Sequence, residues 1–161
     1  MSNPNPSARV RRGEAIEYEP VEAAAGLRKG VLIAESDGAP NFAMRRFVLE
    51  PSAEVPRHTN AVEHEQYVLE GEYVVGISDT SETHRADGDS AERSSADRSS
   101  GQRPREEAVD GEEEHVVTPG DSLLIPAGTV HWYRNEGDER GTFLCVVPNG
   151  DDTIELVETN G

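Results

Sequence analysis

The chain has little of what many folds and active sites depend on. Cysteine occurs once, at Cys145, so the chain can form no internal disulfide and no Cys-x-x-Cys motif. Only 5% of its residues are aromatic, and no apolar run approaches the ~18 residues of a membrane span. The G-x-S-x-G and Walker patterns are also absent. These absences argue against a hydrolase of the nucleophile-elbow type, a P-loop nucleotidase and a membrane protein.

Positive charge is also scarce. Against 32 carboxylates stand 15 basic residues, of which only Lys29 is lysine, and the net charge is −17. Nucleic acids and anionic membranes are polyanions, so neither is an expected partner. High-temperature proteins tend to gain Lys and Glu together, whereas arginine replaces lysine here. We interpret the composition as adaptation to a salt-rich cytoplasm, where a Debye length of about 3 Å at ~1 M salt mutes self-repulsion. The alternative is an ordinary acidic protein.

Length and composition predict one domain with two irregular segments. A chain of 161 residues can bury one core. Residues 1–13 are predicted to be a flexible tail, and their basic residues precede no apolar run that would make a secretory signal. Residues 79–114 hold 12 carboxylates and no Leu, Ile, Met or aromatic residue, so we expect a disordered acidic insertion. The remainder of 14–161 is then a single domain, expected to be soluble and cytoplasmic.

Short extended segments dominate that domain. Runs of apolar and β-branched residues separated by Gly and Pro turns occur at 30–34, 41–49, 63–69, 73–77, 115–118, 122–125, 130–133 and 142–147. Regularly spaced short strands of this kind indicate an antiparallel barrel or sandwich. A turn is expected between Pro51 and Pro56. Good helix formers occur only at 21–26, enough for one or two turns. The sequence therefore predicts an all-β fold with a short helical turn near the N-terminus.

Imidazoles in two segments, residues 58–71 and 120–135, suggest a metal site. His58, Asn60 and His64 stand at even spacing, so an extended backbone places them on one face. His131 could complete the set from another strand. Three imidazoles bind Zn, Fe, Ni, Cu or Mn and leave coordination positions open, as in catalytic rather than structural sites. His84 and His115 are not predicted to be ligands.

The same segments resemble the two motifs of the cupin superfamily. The pattern G-x5-P-x-G-x2-H-x3-N runs without a departure from Gly120 to Asn135, and His58 and Gly71 match fixed positions of the first motif. The closest resemblance is to small single-domain cupins that carry His where the usual Glu ligand stands, here His64.

The resemblance has consequences for fold and cofactor. It implies an antiparallel double-stranded β-helix, the jelly-roll barrel of cupins. It also implies a divalent transition metal (Mn, Fe, Ni or Zn) held by His58, His64 and His131. Where relatives carry a second His in H-x-H, this chain has Asn60, whose carbonyl oxygen could be a further ligand or orient a water. Metal retention is therefore expected to be weaker than with four His.

Three more residues are predicted to line a substrate pocket. Gln66 shares a strand face with His64, and Tyr133 shares one with His131. Arg45 is assigned to the inner face with Phe47, where it could bind a substrate carboxylate through two parallel hydrogen bonds. The alternative for this arginine is a solvated rim.

The strand face opposite His64 and Gln66 carries residues that concern catalysis and assembly. Glu63 and Glu65 have the outward parity, so no catalytic acid or base is identified. Tyr67 and Leu69 share that outward face and need cover from another sheet, the N-terminal segment or a second subunit. A homodimer is therefore the expected assembly.

Two classes of function follow. The first is a metal-dependent enzyme acting on a small oxygen-rich molecule, a carboxylate or enediol, as a dioxygenase, decarboxylase or isomerase does. The second is a non-catalytic module that binds or senses a small molecule. A fold by itself does not choose between them, because one fold hosts many functions.

Overall fold

Two antiparallel sheets make up the protein. The computed structural model describes residues 6–78, 111–150 and 152–157. The first sheet has the strand order β1-β2-β3-β10-β5-β8, and the second has the order β11-β4-β9-β6-β7. The strands are β1 Tyr18–Pro20, β2 Leu27–Ile33, β3 Phe42–Leu49, β4 Glu54–Asn60, β5 His64–Glu70, β6 Tyr73–Ser78, β7 Glu112–Val117, β8 Ser122–Ile125, β9 His131–Arg134, β10 Gly141–Pro148 and β11 Ile154–Leu156. The predicted all-β antiparallel fold is confirmed.

Side chains alternate between the two faces of each strand, and those that point inward form the core between the sheets. In β5 the side chains of His64, Gln66 and Val68 are buried, while those between them are exposed or partly exposed. β10 likewise buries every second residue from Gly141 to Val147. The main apolar cluster joins both sheets and includes Leu27, Leu49, Val55, Val68, Tyr73, Val75, Val117, Tyr133 and Phe143. Each fully buried side chain of this size stabilises the fold by about 1.5–3 kcal/mol.

The predicted turn between Pro51 and Pro56 is present at residues 51–52 but ends earlier than predicted. Pro56 does not end a turn with Pro51 but lies inside β4. The pairing of β4 with β9 shifts register between Val55 and His58. Proline cannot donate to a ladder hydrogen bond, so it is accommodated in a strand at such an irregularity. The consequence is that β4 stays extended through the histidine and reaches Asn60.

The helical turn and the acidic insertion have different boundaries from those predicted. A 3-10 turn near the N-terminus spans Gly13–Ala15, whereas residues 21–26 form turns without a helix. The predicted insertion ends too late, because residues 112–114 begin β7, which pairs with β6. The rest of that prediction, residues 79–110, and the first five residues of the predicted tail lie outside the described residues.

The surface of the first sheet carries apolar side chains. Tyr67 on β5 and Leu124 on β8 are exposed by 48% and 58%. The homodimer that would cover this surface stays a prediction. None of the helical segments within the described residues has the length and hydropathy to span a bilayer.

Candidate functional site

A cavity of about 100 Å³ lies between the two sheets. Its polar lining comes from five strands of the barrel and from the segment after β10. Its apolar lining includes Phe47, Val55 and Phe143. The polar residues are Lys29 on β2, Arg45 on β3, His58 and Asn60 on β4, His64 and Gln66 on β5, His131 and Tyr133 on β9, and Asp152 before β11.

Two imidazoles face each other across neighbouring strands. His58 and His131 are paired residues of β4 and β9, and their ring centroids lie 4.2 Å apart. The Nδ1 of His58 lies 2.8 Å from the carbonyl oxygen of Pro56, and the Nδ1 of His131 lies 2.9 Å from that of Thr129. A carbonyl oxygen only accepts, so each Nδ1 must carry the hydrogen. The lone pair of each neutral ring is therefore on Nε2.

Burial keeps both of these rings neutral. It lowers the pKa of His58, and His64 and Asp152 nearby act in opposite directions on it. Burial also lowers the pKa of His131 to about 3, assisted by the positive charge that His58 would carry. Neutral imidazoles with a fixed tautomer are the form that binds transition metals. His58 and His131 therefore suit a metal as they stand.

His64 has both ring nitrogens engaged. Its Nδ1 lies 3.2 Å from the Sγ of Cys145, and its Nε2 lies 3.3 Å from Oδ1 and 3.2 Å from Oδ2 of Asp152. Burial by itself would lower the pKa of His64, but the hydrogen bonds to Asp152 and Cys145 raise it to about 9. Its Nε2 can bind a metal only after Asp152 moves away.

Asp152 also forms an ion pair with Arg45. The Nη2 of Arg45 donates to Oδ2 of Asp152 at 3.0 Å, and both side chains are nearly buried. Burial would raise the pKa of Asp152, yet the hydrogen bond and charge of His64 and the charge of Arg45 lower it. The carboxylate is therefore ionised and held from two sides.

Two polar atoms of the cavity wall have no hydrogen-bond partner among the described residues. The Nε2 of Gln66 donates to the hydroxyl of Tyr133 at 2.7 Å, but its Oε1 is buried and accepts nothing from the described part of the chain. The Nε of Arg45 is likewise buried without an acceptor among these residues. Burial raises the pKa of Tyr133, so its phenol stays protonated. Unpaired polar atoms at a cavity are costly unless a ligand or water satisfies them.

The fit of the site to a metal is partial in this arrangement. Within residues 6–78, 111–150 and 152–157, no group of three or more His, Cys, Asp or Glu side chains has the geometry of metal ligands. His58, His64 and His131 are all buried and line one cavity, and Asn60 lines it with them. Binding by all three imidazoles stays a prediction, since it requires His64 to exchange Asp152 for the metal.

Two residues of the site were missed by sequence reasoning. Cys145 shares the buried parity of Phe143 and Val147 on β10, and that alternation could have identified it. Asp152 carries no such signal, because it stands in an acidic tail after Gly150. His115, in contrast, is exposed on β7, and its imidazole lies beside Glu113 and not at the cavity.

Comparison with known proteins gives one family and several similar structures. The family described as Cupin domain matches residues 105–147. The structure of the polyketide cyclase RemF from Streptomyces resistomycificus is 24% identical, with a TM-score of 0.67 over 96% of this chain and 87% of that one. Rru_A2000 from Rhodospirillum rubrum, a cupin-2 domain, is 16% identical with a TM-score of 0.63, over 96% and 83% of the two chains.

A larger protein is also similar. Oxalate decarboxylase from Bacillus subtilis is 16% identical, with a TM-score of 0.57 over 84% of this chain and 29% of that one. No curated protein sequence matches this chain. Identities this low show a shared fold, and the chemistry must be argued from the site itself.

Proposed function

We propose that this protein, a cupin by its domain match and its fold, is a metal-dependent enzyme that acts on a small oxygen-rich molecule bearing a carboxylate or enediol. The single observation that carries the proposal is the pair formed by His58 and His131. Both rings are buried, neutral and fixed by backbone carbonyls, and neither Nε2 has a hydrogen-bond partner in the part of the chain that the structure describes. A purely structural role explains the fixed Nδ1 atoms but leaves the Nε2 atoms without a purpose.

The remaining cavity residues have roles that fit such a site. His64 is the third proposed imidazole ligand, and Asn60 is a candidate for a further oxygen ligand. A divalent Mn, Fe, Ni or Zn ion bound here would polarise a substrate oxygen as a Lewis acid. Arg45 would bind the carboxylate of the substrate, and the paired Gln66 and Tyr133 would orient its other oxygens.

The size and lining of the cavity suit a small polar ligand between apolar walls. Its volume of about 100 Å³ suits a molecule of a few heavy atoms. Phe47 and Phe143 stack with ring centroids 5.2 Å apart and keep one wall apolar. Such a wall excludes water and strengthens the electrostatic interactions inside. Two similar structures are named as a polyketide cyclase and an oxalate decarboxylase, names that agree with oxygen-rich substrates.

Cellular context and assembly belong to the same proposal. A cytoplasmic location is part of it. The exposed Tyr67 and Leu124 support a homodimer, since uncovered apolar surface favours association. The strongly acidic composition supports adaptation to high salt.

Metal binding by stripped protein tests the proposal. The wild type, His58→Ala, His131→Ala and the matched control His115→Ala should be titrated with Fe(II), Mn(II), Ni(II) and Zn(II). We expect His58→Ala and His131→Ala to lower the affinity for the native metal by at least about 10–100-fold. The control should bind like the wild type, because its imidazole is on the surface.

The same preparations separate an enzyme from a binding module. Stoichiometric native metal, lost from both site variants, supports the enzyme. Equal and negligible binding by all four proteins would remove the metal from the proposal. A tightly bound small molecule in metal-free protein would then identify the alternative, a non-catalytic binding or sensing module.

A further inference from the structure

The carboxylate of Asp152 lies where the carboxylate of a substrate is expected. It accepts from the Nη2 of Arg45 at 3.0 Å and lies 3.2 Å from the Nε2 of His64. Both donors line the cavity, and Asp152 lines it with them. The protein therefore places one of its own carboxylates in the polar end of its candidate site.

Apart from the contacts of Asp152 itself, the segment that carries this residue is held mainly by backbone pairing. β11 pairs with the outer edge of β4, which carries His58 and Asn60. Just outside the strand, the Ala61 amide donates to the carbonyl oxygen of Thr153 and the Val157 amide donates to that of Arg57. All three side chains of β11 are exposed. A short edge strand without buried side chains opens at low free-energy cost.

Asp152 satisfies its binding site incompletely. It uses one nitrogen of Arg45, while the buried Nε of the same guanidinium has no acceptor within the described residues. A free carboxylate can take two parallel hydrogen bonds from an arginine, which is the stronger geometry. The Oε1 of Gln66, a residue only 4% exposed, accepts no hydrogen bond from residues 6–78, 111–150 or 152–157 and offers a further contact to a ligand hydroxyl.

We propose that Arg45 is the centre of a carboxylate subsite that Asp152 fills in the unliganded protein, and that a small organic carboxylate displaces Asp152 and releases β11. Release of Asp152 also leaves the Nε2 of His64 open, so that carboxylate binding completes the set of three imidazoles. The inference rests on the proposed function for the identity of the substrate class. The subsite itself requires no metal.

Hydrogen exchange in metal-stripped protein tests the displacement directly. The probe is propionate, and its neutral isostere propionamide is the control ligand. The amides of Ala61 and Val157 report on β11, because they form the two hydrogen bonds at its ends. Saturating propionate should speed their exchange by at least about tenfold, as expected for local opening. Propionamide should leave their exchange unchanged.

Three variants test the competition. Asp152→Asn removes the charge and keeps the shape. If Asp152 occupies the subsite in ~90–99% of unliganded molecules, propionate should bind this variant about 10–100-fold more tightly than the wild type. Glu155→Gln changes an exposed carboxylate of the same strand and should bind like the wild type. Arg45→Gln should lose propionate binding. The exchange experiment on wild-type protein covers the case in which a variant does not fold.

Several results would overturn the inference. Propionate that binds Asp152→Asn no more tightly than the wild type would show that Asp152 does not compete. Propionate that binds without loosening the Ala61 and Val157 amides would show that β11 is not released. Because these measurements use stripped protein, their outcome is independent of the metal titrations, and either proposal can fail without the other.

Discussion

Gly76 and Trp132 are paired residues of β6 and β9, and the indole ring occupies the space that a Cβ on Gly76 would need. A methyl group there would overlap the ring atoms Cε2, Nε1 and Cζ2. The guanidinium groups of Arg134 and Arg57 lie 4.7 and 5.8 Å from the ring centroid. Trp132 thus packs between the backbone of Gly76 and two guanidinium groups, and only 6% of it is exposed.

Substitution of this glycine should therefore destabilise the second sheet. We expect Gly76→Ala to lower the free energy of unfolding by about 1–3 kcal/mol, the usual cost of an overpacked site. Gly137→Ala is the matched control, since the nearest atom to its Cβ would lie at an ordinary 3.6 Å. Urea denaturation followed by Trp132 fluorescence measures both. Equal stability of the two variants would contradict the steric argument.

The ion pair between Glu112 and Arg57 should make the stability of the fold depend on pH in the acidic range. Its carboxylate accepts two hydrogen bonds of 2.8 Å from Arg57, and its side chain is 4% exposed. Burial would raise the pKa of Glu112, but the hydrogen bonds and the charge of Arg57 lower it below the ordinary 4.5. A depressed carboxyl pKa contributes stability that is present above the unfolded value and is lost as the pH falls through the folded value. We therefore expect this contribution to disappear below about pH 4.5.

Neutral variants isolate that contribution. Glu112→Gln should cost about 1–3 kcal/mol near pH 7, because it removes charged hydrogen bonds from Arg57. The cost should shrink as the pH is lowered below 4.5. Glu113→Gln, on an adjacent residue with a 75% exposed side chain, should change stability by less than about 0.5 kcal/mol at either pH. Unfolding free energies at several pH values test this, and a cost of Glu112→Gln that does not vary with pH would refute it.

Asn60→His tests the departure from the usual first motif. Asn60 is buried at the cavity, two residues from His58 on the same strand face. If the site binds a metal through three imidazoles, a fourth should raise metal affinity by about 10–100-fold. It should also close one open coordination position and lower turnover. A structural Asn60 in a metal-free barrel predicts instead a loss of about 1–3 kcal/mol of stability without any gain in metal. Metal titration and thermal unfolding of both proteins distinguish these outcomes.

Salt should stabilise the fold over the molar range. The net charge of −17 on 161 residues produces self-repulsion that added salt screens. The melting temperature in KCl at neutral pH is therefore expected to rise. Close to the isoelectric point of about 4.6 the same salt series should have a smaller effect, since the repulsion is mostly gone. A flat or falling melting temperature at neutral pH would contradict this reading of the composition.

The faces of the strands were accessible from the sequence because side chains alternate across a strand. The buried parity of His64, Gln66 and Val68 follows from counting residues, and the structure has that alternation. The turn at Gly71 was also predictable. Its φ of 78° suits glycine, and a side chain there would collide with the backbone of Arg140.

What the sequence alone determined was thus which residues face inward, where the chain turns and that the fold is all-β. It did not determine which inward residues meet. Asp152 lies 88 positions from His64 and 107 from Arg45, and only the pairing of β11 with β4 brings it to them. Cys145 reaches His64 because β10 pairs with both β5 and β3. Alternation is a local property of the backbone, whereas the register between distant strands is set by the packing of the whole barrel. It is this register that gives His64 and Arg45 a carboxylate partner.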